Sequence, residues 1–287
     1  RAASMAGLDR RLNAFRPDLS DRRLEGQVEA ARFTDGQKAQ VSVPVLDMRN
    51  SPDANAGLDT QLLLGDVVSV FDEKDGFAWV QSEEDSYVGY VPASGLTTPG
   101  SAATHIIAVP RSFLYAEADM KRPMRAPLSL GSKLVVTGTA ETRGSTYSLL
   151  ENGEAVMSQH LRPADETVAD YVAVAEMLER TPYLWGGKSA FGIDCSGLVQ
   201  LCLRMAGRSA PRDTDMQAAL LGEALPDGES LQRGDLVFWK GHVAIMLDKS
   251  EVIHASGHAM MVVREKLEDA IARIEPFYGR PTSFRRP

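Results

Sequence analysis

One cysteine lies in a setting that suits a nucleophile. Residues 181–200 read TPYLWGGKSAFGIDCSGLVQ, which places Cys195 directly after Asp194 and at the start of an apolar helical stretch. A helix N-terminus presents unpaired N–H groups and the positive end of the helix dipole, and both lower the pKa of a cysteine. The sequence therefore predicts a reactive thiolate at Cys195. Cys202, two turns further along the same helix, is predicted to be a buried apolar residue.

A thiolate nucleophile needs a base within hydrogen-bond reach, and two histidines are candidates. His242 opens the predicted strand HVAIML and His254 lies in the next one, VIHAS. If residues 248–250 form a three-residue loop, Ala244 pairs with His254, and His242 becomes a diagonal neighbour of His254 on one sheet face. A one-residue slip would separate them. The other three histidines are predicted to take no part in the chemistry: His105, His160 and His258.

The same three side chains raise the alternative of a metal site. Cys195, His242 and His254 are all possible zinc ligands, but the sequence has no CxxC or HxxxH spacing that would complete a closed site. Zinc is therefore the less favoured interpretation, and no cofactor is expected.

Length and charge limit the classes of protein. The 287 residues suffice for two or three domains, and a composition of 44% hydrophobic and 24% charged residues is typical of globular proteins. A net charge of −8 argues against binding to nucleic acid or to an anionic membrane surface. No apolar run approaches the ~18 residues that cross a bilayer. The absence of a signal-peptide pattern favours the cytoplasm, whereas a leader removed before Arg1 would indicate the periplasm.

An internal repeat precedes the cysteine. QLLLGDVVSV at 61–70 matches PLSLGSKLVV at 127–136 and aligns Gly65 with Gly131 at an offset of 66. Short runs rich in Val, Ile and aromatic residues, separated by Pro, Asp and Gly, are typical of a small β barrel or sandwich. The strands expected in the first copy are 40–46, 66–71, 78–82 and 89–91. The predicted organisation is as follows: a partly helical arm over 1–39, two β modules over 40–97 and 104–163, and a last domain over 164–287.

The last domain is predicted to be α+β. Its first helix is expected within DETVADYVAVAEMLER, with Asp165 or Thr167 as N-cap, and its second helix is expected directly after Asp194. RGDLVFWKGHVAIMLDKSEVIHASG then predicts three successive strands. Helices followed by an antiparallel meander make an α+β domain.

These motifs resemble a known family. Residues 181–200, together with RGDLVFWKGHVAIML and EVIHASG, are similar to NlpC/P60 cysteine peptidases, which have a circularly permuted papain-like fold, and the similarity covers nearly all of 164–287. GFAWVQSEEDSYVGYVPASGL resembles bacterial SH3-like (SH3b) domains, and the second copy is a weaker match. The resemblance implies a γ-D-glutamyl-L-diamino acid (meso-diaminopimelate) endopeptidase acting on peptidoglycan stem peptides.

The resemblance also implies roles for individual residues. Cys195 would be the nucleophile, His242 the general base and then acid, and His254 the residue that orients His242. Substrate subsites would include three further residues: Tyr183, Asp194 and Ser196. An N-cap role for Asp194 is compatible with a place in a subsite.

The first SH3b domain of such proteins can close the cleft and bind the free amine of the stem peptide's L-alanine. The segment SYVGYVP points to Tyr87 as a substrate contact, and a cationic amine calls for a carboxylate, for which there are three candidates: Asp47, Glu83 and Asp85. A cleft closed in this way by the first SH3b domain would favour free muropeptides over intact peptidoglycan as substrates.

Two alternatives remain open. An N-acetylmuramoyl-L-alanine amidase would use the same Cys195 and His242 on another bond. A cell-wall-binding regulatory protein with an inactive peptidase domain would use neither, although the presence of Cys195, His242 and His254 weighs against it. The sequence does not predict an oligomeric state.

Overall fold

The computed structural model describes residues 7–287. Residues 1–6, the beginning of the predicted arm, lie outside the described part. The rest of the arm runs along the first β module, and its regular structure is limited to short elements: β1 (Ser20–Asp21), a 3-10 turn (Arg22–Leu24) and β2 (Phe33–Thr34). The helical content of the arm between residues 7 and 39 is therefore that single turn.

The first β module is one seven-stranded antiparallel sheet that curls around a small core. Its elements are β3 (Gln37–Val41), β4 (Val45–Arg49), β5 (Leu58–Leu63), β6 (Val67–Lys74), β7 (Phe77–Ser82), β8 (Val88–Pro92), a 3-10 turn (Ala93–Gly95) and β9 (Leu96–Thr97). The strand order is β5-β4-β8-β7-β6-β3-β9. The predicted strand at 40–46 is in fact the end of β3 and the start of β4, and β5 was missed because its LDTQLL pattern does not alternate.

The second β module repeats this arrangement. Its elements are β10 (His105–Ile107), β11 (Arg111–Tyr115), β12 (Met124–Ser129), β13 (Lys133–Leu134), β14 (Gly138–Thr142), β15 (Ser145–Leu149), β16 (Ala155–Met157), a 3-10 turn (Ser158–His160) and β17 (Leu161–Pro163). The orders β12-β11-β16-β15-β14 and β13-β10-β17 reproduce the pairing of the first module, with β6 split into β13 and β14. Gly65 and Gly131 both adopt positive φ, +87° and +90°, which explains why glycine recurs there. The second module therefore shares the strand pairing of the first.

The last domain is α+β. Its elements are α1 (Tyr171–Met177), β18 (Lys188–Ser189), β19 (Gly192–Ile193), α2 (Cys195–Met205), α3 (Thr214–Leu220), β20 (Glu223–Ala224), β21 (Leu236–Trp239), β22 (His242–Met246), β23 (Glu251–Ser256), β24 (Met261–Lys266), α4 (Leu267–Tyr278) and β25 (Ser283–Arg286). Six strands form one sheet in the order β20-β25-β21-β22-β23-β24. None of the helices between residues 7 and 287 is long and apolar enough to cross a membrane.

Helix α2 is the centre of this domain. It packs on β22 and β23, and its apolar residues Leu198, Val199 and Leu201 are almost completely buried. Cys202 is fully buried among them, as predicted. Helix α1 begins later than expected, because Asp170, and neither Asp165 nor Thr167, accepts the capping hydrogen bond from the N–H of Val172.

Candidate active site

Cys195 is the first residue of α2, and its side chain is 6% exposed. Asp194 caps the helix: its carboxylate accepts a hydrogen bond of 2.8 Å from the N–H of Gly197, which confirms the predicted cap. The thiol lies 3.8 Å from the hydroxyl of Thr214 and contacts the N–H of Val243. Because Val243 directly follows His242 in β22, the thiol lies beside the start of that strand.

The two predicted histidines are neighbours, as expected from the loop length. The N–H of Leu247 bonds to the carbonyl of Glu251, and Ile245 pairs with Ile253, which is the register that a three-residue loop requires. His242 Nε2 lies 2.7 Å from His254 Nδ1. These two nitrogens face each other across one hydrogen bond, so neither is free to bind a metal ion. The arrangement instead allows His254 to orient the ring of His242.

The hydrogen-bonded row that begins with His242 and His254 continues to Glu265 and Arg273, neither of which was predicted. His254 Nε2 lies 2.6 Å from Glu265 Oε2, and the Arg273 guanidinium donates to the same carboxylate at 2.8 Å. Glu265 reaches His254 because β24 pairs His254 with Val263, two residues earlier on the same face. That register depends on the turn over residues 257–260, whose Ser256-Gly257 dipeptide indicates a turn but does not fix its length.

The carboxylate fixes the tautomers of both histidines. Burial raises the pKa of Glu265, but hydrogen bonds from His254 and Arg273 outweigh this and lower the pKa to about 2. An ionised Glu265 accepts the Nε2–H of His254, so His254 Nδ1 is an acceptor and takes the Nε2–H of His242. The lone pair that remains on His242 is then on Nδ1, the atom that must take the thiol proton.

The expected resting thiolate is wrong. Burial, followed by the adjacent Asp194 charge, raises the pKa of the Cys195 thiol to about 11, while burial and the neighbouring His254 lower the pKa of His242 to about 3. The position at the helix N-terminus does not offset this desolvation. Before substrate binds, the pair is therefore a neutral thiol beside a neutral imidazole, and the proton moves during attack.

Arg212 organises the N-terminal end of α2 and was also missed. Its side chain is 1% exposed and forms an ion pair of 2.9 Å with Asp194. It donates to the hydroxyl of Ser196 at 2.8 Å and, across the domain boundary, to the hydroxyl of Thr60 at 2.8 Å. Asp194 and Ser196 are thus held rigidly beside the nucleophile.

An acidic cavity of about 290 Å³ opens at the thiol. Both the first β module and the last domain line it, and five of the predicted site residues are among its lining: Tyr87, Tyr183, Asp194, Cys195 and Ser196. Tyr87 donates from its hydroxyl to Asp213 Oδ2 at 2.9 Å. Asp59 also faces this cavity, and burial and the nearby Asp213 charge raise its pKa.

The three carboxylates predicted to serve the amine lie elsewhere. Asp47 accepts from Gln61 at 2.9 Å, Glu83 pairs with Lys38 at 3.4 Å, and Asp85 accepts from Gln200 at 2.9 Å. None of them lines the cavity. Asp59 and Asp213 take that place, because Asp59 lies in β5, which was missed, and Asp213 belongs to the other domain.

A second cavity, of about 330 Å³, lies on the other side of the histidines. It shares Tyr183, Trp185 and Gly241 with the acidic cavity. Trp185 and Phe277 are 71% and 78% exposed at its rim. The two cavities therefore adjoin at the three shared residues, with Cys195 lining the first and the two histidines lining the second.

We expect Glu265→Gln to lower kcat about 10- to 100-fold and to change KM by no more than about three-fold. The amide can still accept the Nε2–H of His254 through its oxygen, but it brings no negative charge to stabilise the imidazolium and leaves Arg273 without its carboxylate partner. Steady-state kinetics on the wild type and the variant measure both constants. Glu268→Gln, an exposed change of the same type at the start of α4, serves as the control. An unchanged kcat in Glu265→Gln would contradict the stabilising role assigned to the Glu265 charge.

Comparisons with known proteins agree with this fold. The profile described as "NlpC/P60 family" matches residues 180–273, and that described as "Bacterial dipeptidyl-peptidase Sh3 domain" matches residues 48–96. A protein of Bacillus cereus named gamma-D-glutamyl-L-lysine dipeptidyl-peptidase is 30% identical over 233 residues, which are 69% of this chain and 67% of that protein. A protein of Bacillus subtilis with the same name is 26% identical over 220 residues, which are 69% of this chain and 72% of that protein.

A crystal structure of an NlpC/P60 family protein from Bacillus cereus has the same fold. It superimposes with a TM-score of 0.73 at 24% sequence identity and covers 87% of this chain and 99% of its own. The matches identify a peptidase of the NlpC/P60 class that is preceded by an SH3-like domain. The chain belongs to the NlpC/P60 family.

Proposed function

We propose that the protein is a cysteine endopeptidase that hydrolyses the bond between D-glutamate and meso-diaminopimelate in peptidoglycan stem peptides with a free N-terminal L-alanine. The observation that carries this proposal is the acidic cavity beside Cys195. It is formed by two domains and presents two carboxylates, Asp59 and Asp213, at a short distance from the nucleophile. The names of the two Bacillus relatives support the same bond, with lysine as the diamino acid.

The chemistry follows from the row of hydrogen bonds. The sulfur of Cys195 attacks the γ-carbonyl carbon of D-glutamate while its proton passes to His242 Nδ1. The positive charge formed on His242 is stabilised through His254 by the ionised Glu265. The backbone N–H of Cys195, free at the start of α2, is suited to bind the oxyanion.

Collapse of the tetrahedral intermediate breaks the bond to the diamino acid. The His242 imidazolium gives its proton to the departing amine, which leaves a thioester on Cys195 and a neutral imidazole. A water molecule then attacks the thioester with His242 as base. L-alanyl-D-glutamate is released and the thiol is restored, so the chain's own residues supply every proton transfer.

Charge orients the substrate in the cleft. The ammonium group of L-alanine suits the acidic cavity, where Asp59 and Asp213 face it and where Tyr87 holds Asp213 in place. The diamino acid then lies in the second cavity, with its aliphatic chain against the exposed rings of Trp185 and Phe277. In this orientation the γ-amide lies between the two cavities, at Cys195 and His242.

The acidic cavity disfavours the amidase alternative. In an N-acetylmuramoyl peptide the L-alanine nitrogen is an uncharged amide, so it would bring no positive charge to Asp59 and Asp213. The alternative of a binding protein is disfavoured by the intact row from His242 to Glu265. A preference for free muropeptides is compatible with recycling, for which the cytoplasm remains the predicted compartment.

Product identification tests this function. The protein is incubated with L-Ala-γ-D-Glu-meso-diaminopimelate and with its N-acetylmuramoyl form, and the products are identified by mass spectrometry. We expect L-alanyl-D-glutamate and diaminopimelate from the free tripeptide, and cleavage of the muramoyl form that is at least about 100-fold slower. Release of an intact tripeptide from the muramoyl form would select the amidase, and no cleavage of either would favour a binding role.

A further inference from the structure

The N-terminal arm reaches the active-site cleft through Arg11. Its guanidinium contacts Asp213 at 3.0 Å and forms a two-pronged pair with Asp215 at 2.9 and 2.8 Å. Its remaining N–H groups go to Asp9 of the arm, at 2.7 to 3.2 Å. All five guanidinium donors are therefore used, and Arg11 has none left for a substrate.

The segment that Arg11 holds is part of the site. Asp213 accepts a hydrogen bond of 2.9 Å from the hydroxyl of Tyr87. The hydroxyl of the next residue, Thr214, lies 3.8 Å from the Cys195 sulfur. Asp215 follows as the two-pronged partner of Arg11. Arg11 thus pairs with the first and third of three consecutive residues, all of which line the acidic cavity.

Asp213 is at the N-cap position of α3, but its side chain does not cap the helix. It is the residue before α3, yet its side chain makes no hydrogen bond to the backbone of that helix. The carboxylate is instead turned to Tyr87 and Arg11. A cap that is left unused costs about 1 kcal/mol of helix stability, so this orientation is maintained by the two partners rather than by the helix.

We infer that Arg11 is a positioning residue that determines specificity: it holds Asp213 toward the cleft and closes the amine end, so that the enzyme requires an unblocked N-terminal amine. This inference rests on the proposed function. Arg11, Asp213 and Asp215 all line the acidic cavity, so an acyl group on the substrate amine would meet the anchored arm. Without Arg11, Asp213 and Asp215 would lose the cation that pairs with both of them, and Asp213 would keep only Tyr87 as a side-chain partner.

The test compares Arg11→Gln with the wild type on two substrates, L-Ala-γ-D-Glu-meso-diaminopimelate and the same peptide with an N-acetyl group. We expect KM for the free peptide to rise at least about 10-fold in the variant, with kcat reduced much less. The ratio of kcat/KM between the free and the acetylated peptide should fall by a similar factor. Arg11→Lys, which keeps the charge but not the fork of donors, should recover part of the loss.

Two controls separate positioning from folding. Arg10→Gln removes the neighbouring arginine of the arm, which lies over the ring of Phe15 at 4.6 Å and has no place in the cleft; it should behave as the wild type. Thermal unfolding monitors the fold of each variant. If Arg11→Gln does not fold, Asp215→Asn breaks the same pair from an exposed position and should reduce the substrate ratio in the same way.

The outcomes distinguish this inference from the proposed function. An Arg11→Gln enzyme with the KM and the substrate ratio of the wild type would overturn the positioning role. A higher kcat/KM for the free peptide would also overturn it, because Arg11 would then obstruct substrate binding instead of supporting it. A wild-type protein that cleaves neither peptide would instead reject the proposed function itself.

Discussion

Replacing Cys195 with Ala is expected to reduce kcat by at least about 10⁴-fold, because the thioester cannot form without the sulfur. Cys202→Ala is the matched control. It removes the other cysteine, which is fully buried in α2 and far along the helix from the cleft. We expect this control to cost about 1 kcal/mol of unfolding free energy and to keep its activity.

Release of L-alanyl-D-glutamate from the free tripeptide, followed by liquid chromatography, measures both variants. Residual activity in Cys195→Ala within about ten-fold of the wild type would show that another group attacks the substrate. Loss of activity in a folded Cys202→Ala protein would show that the roles of the two cysteines have been confused.

Arg212→Ala is expected to lower the free energy of unfolding by about 3 to 5 kcal/mol. The change removes a cation that is 1% exposed and leaves Asp194 buried without its partner. It also removes the hydrogen bonds to Ser196 and, in the first β module, to Thr60. Both the helix start and the domain boundary should therefore weaken.

Urea unfolding followed by circular dichroism measures this effect. Arg208→Ala is the control, because Arg208 is exposed in the loop after α2 and should change stability by no more than about 0.5 kcal/mol. A loss below about 1 kcal/mol in Arg212→Ala would mean that the buried Asp194 is compensated by another group.

The parts of the site that could be predicted from sequence depend on local rules. Asp194 was recognised as the cap of α2 because capping is decided within one helical turn. The pairing of His242 with His254 followed from a three-residue loop, whose length alone sets the register. The repeat that aligns Gly65 with Gly131 reflects a backbone conformation with positive φ, which glycine adopts most easily.

The parts that could not be predicted depend on contacts between distant segments. Asp213 meets Tyr87 across a domain boundary, and Arg11 meets Asp215 from the opposite end of the chain. Glu265 reaches His254 only in one register of β24. The pKa of Cys195 was predicted in the wrong direction, because the helix position is visible in the sequence while the extent of burial is not.

The most direct test of the account is a crystal structure of the Cys195→Ala protein with L-Ala-γ-D-Glu-meso-diaminopimelate bound. The account predicts the L-alanine ammonium at Asp59 and Asp213, the γ-carbonyl carbon of D-glutamate next to residue 195, and the diamino acid in the second cavity beside Trp185. A peptide bound in the reverse direction, or with its γ-amide away from residue 195, would contradict it.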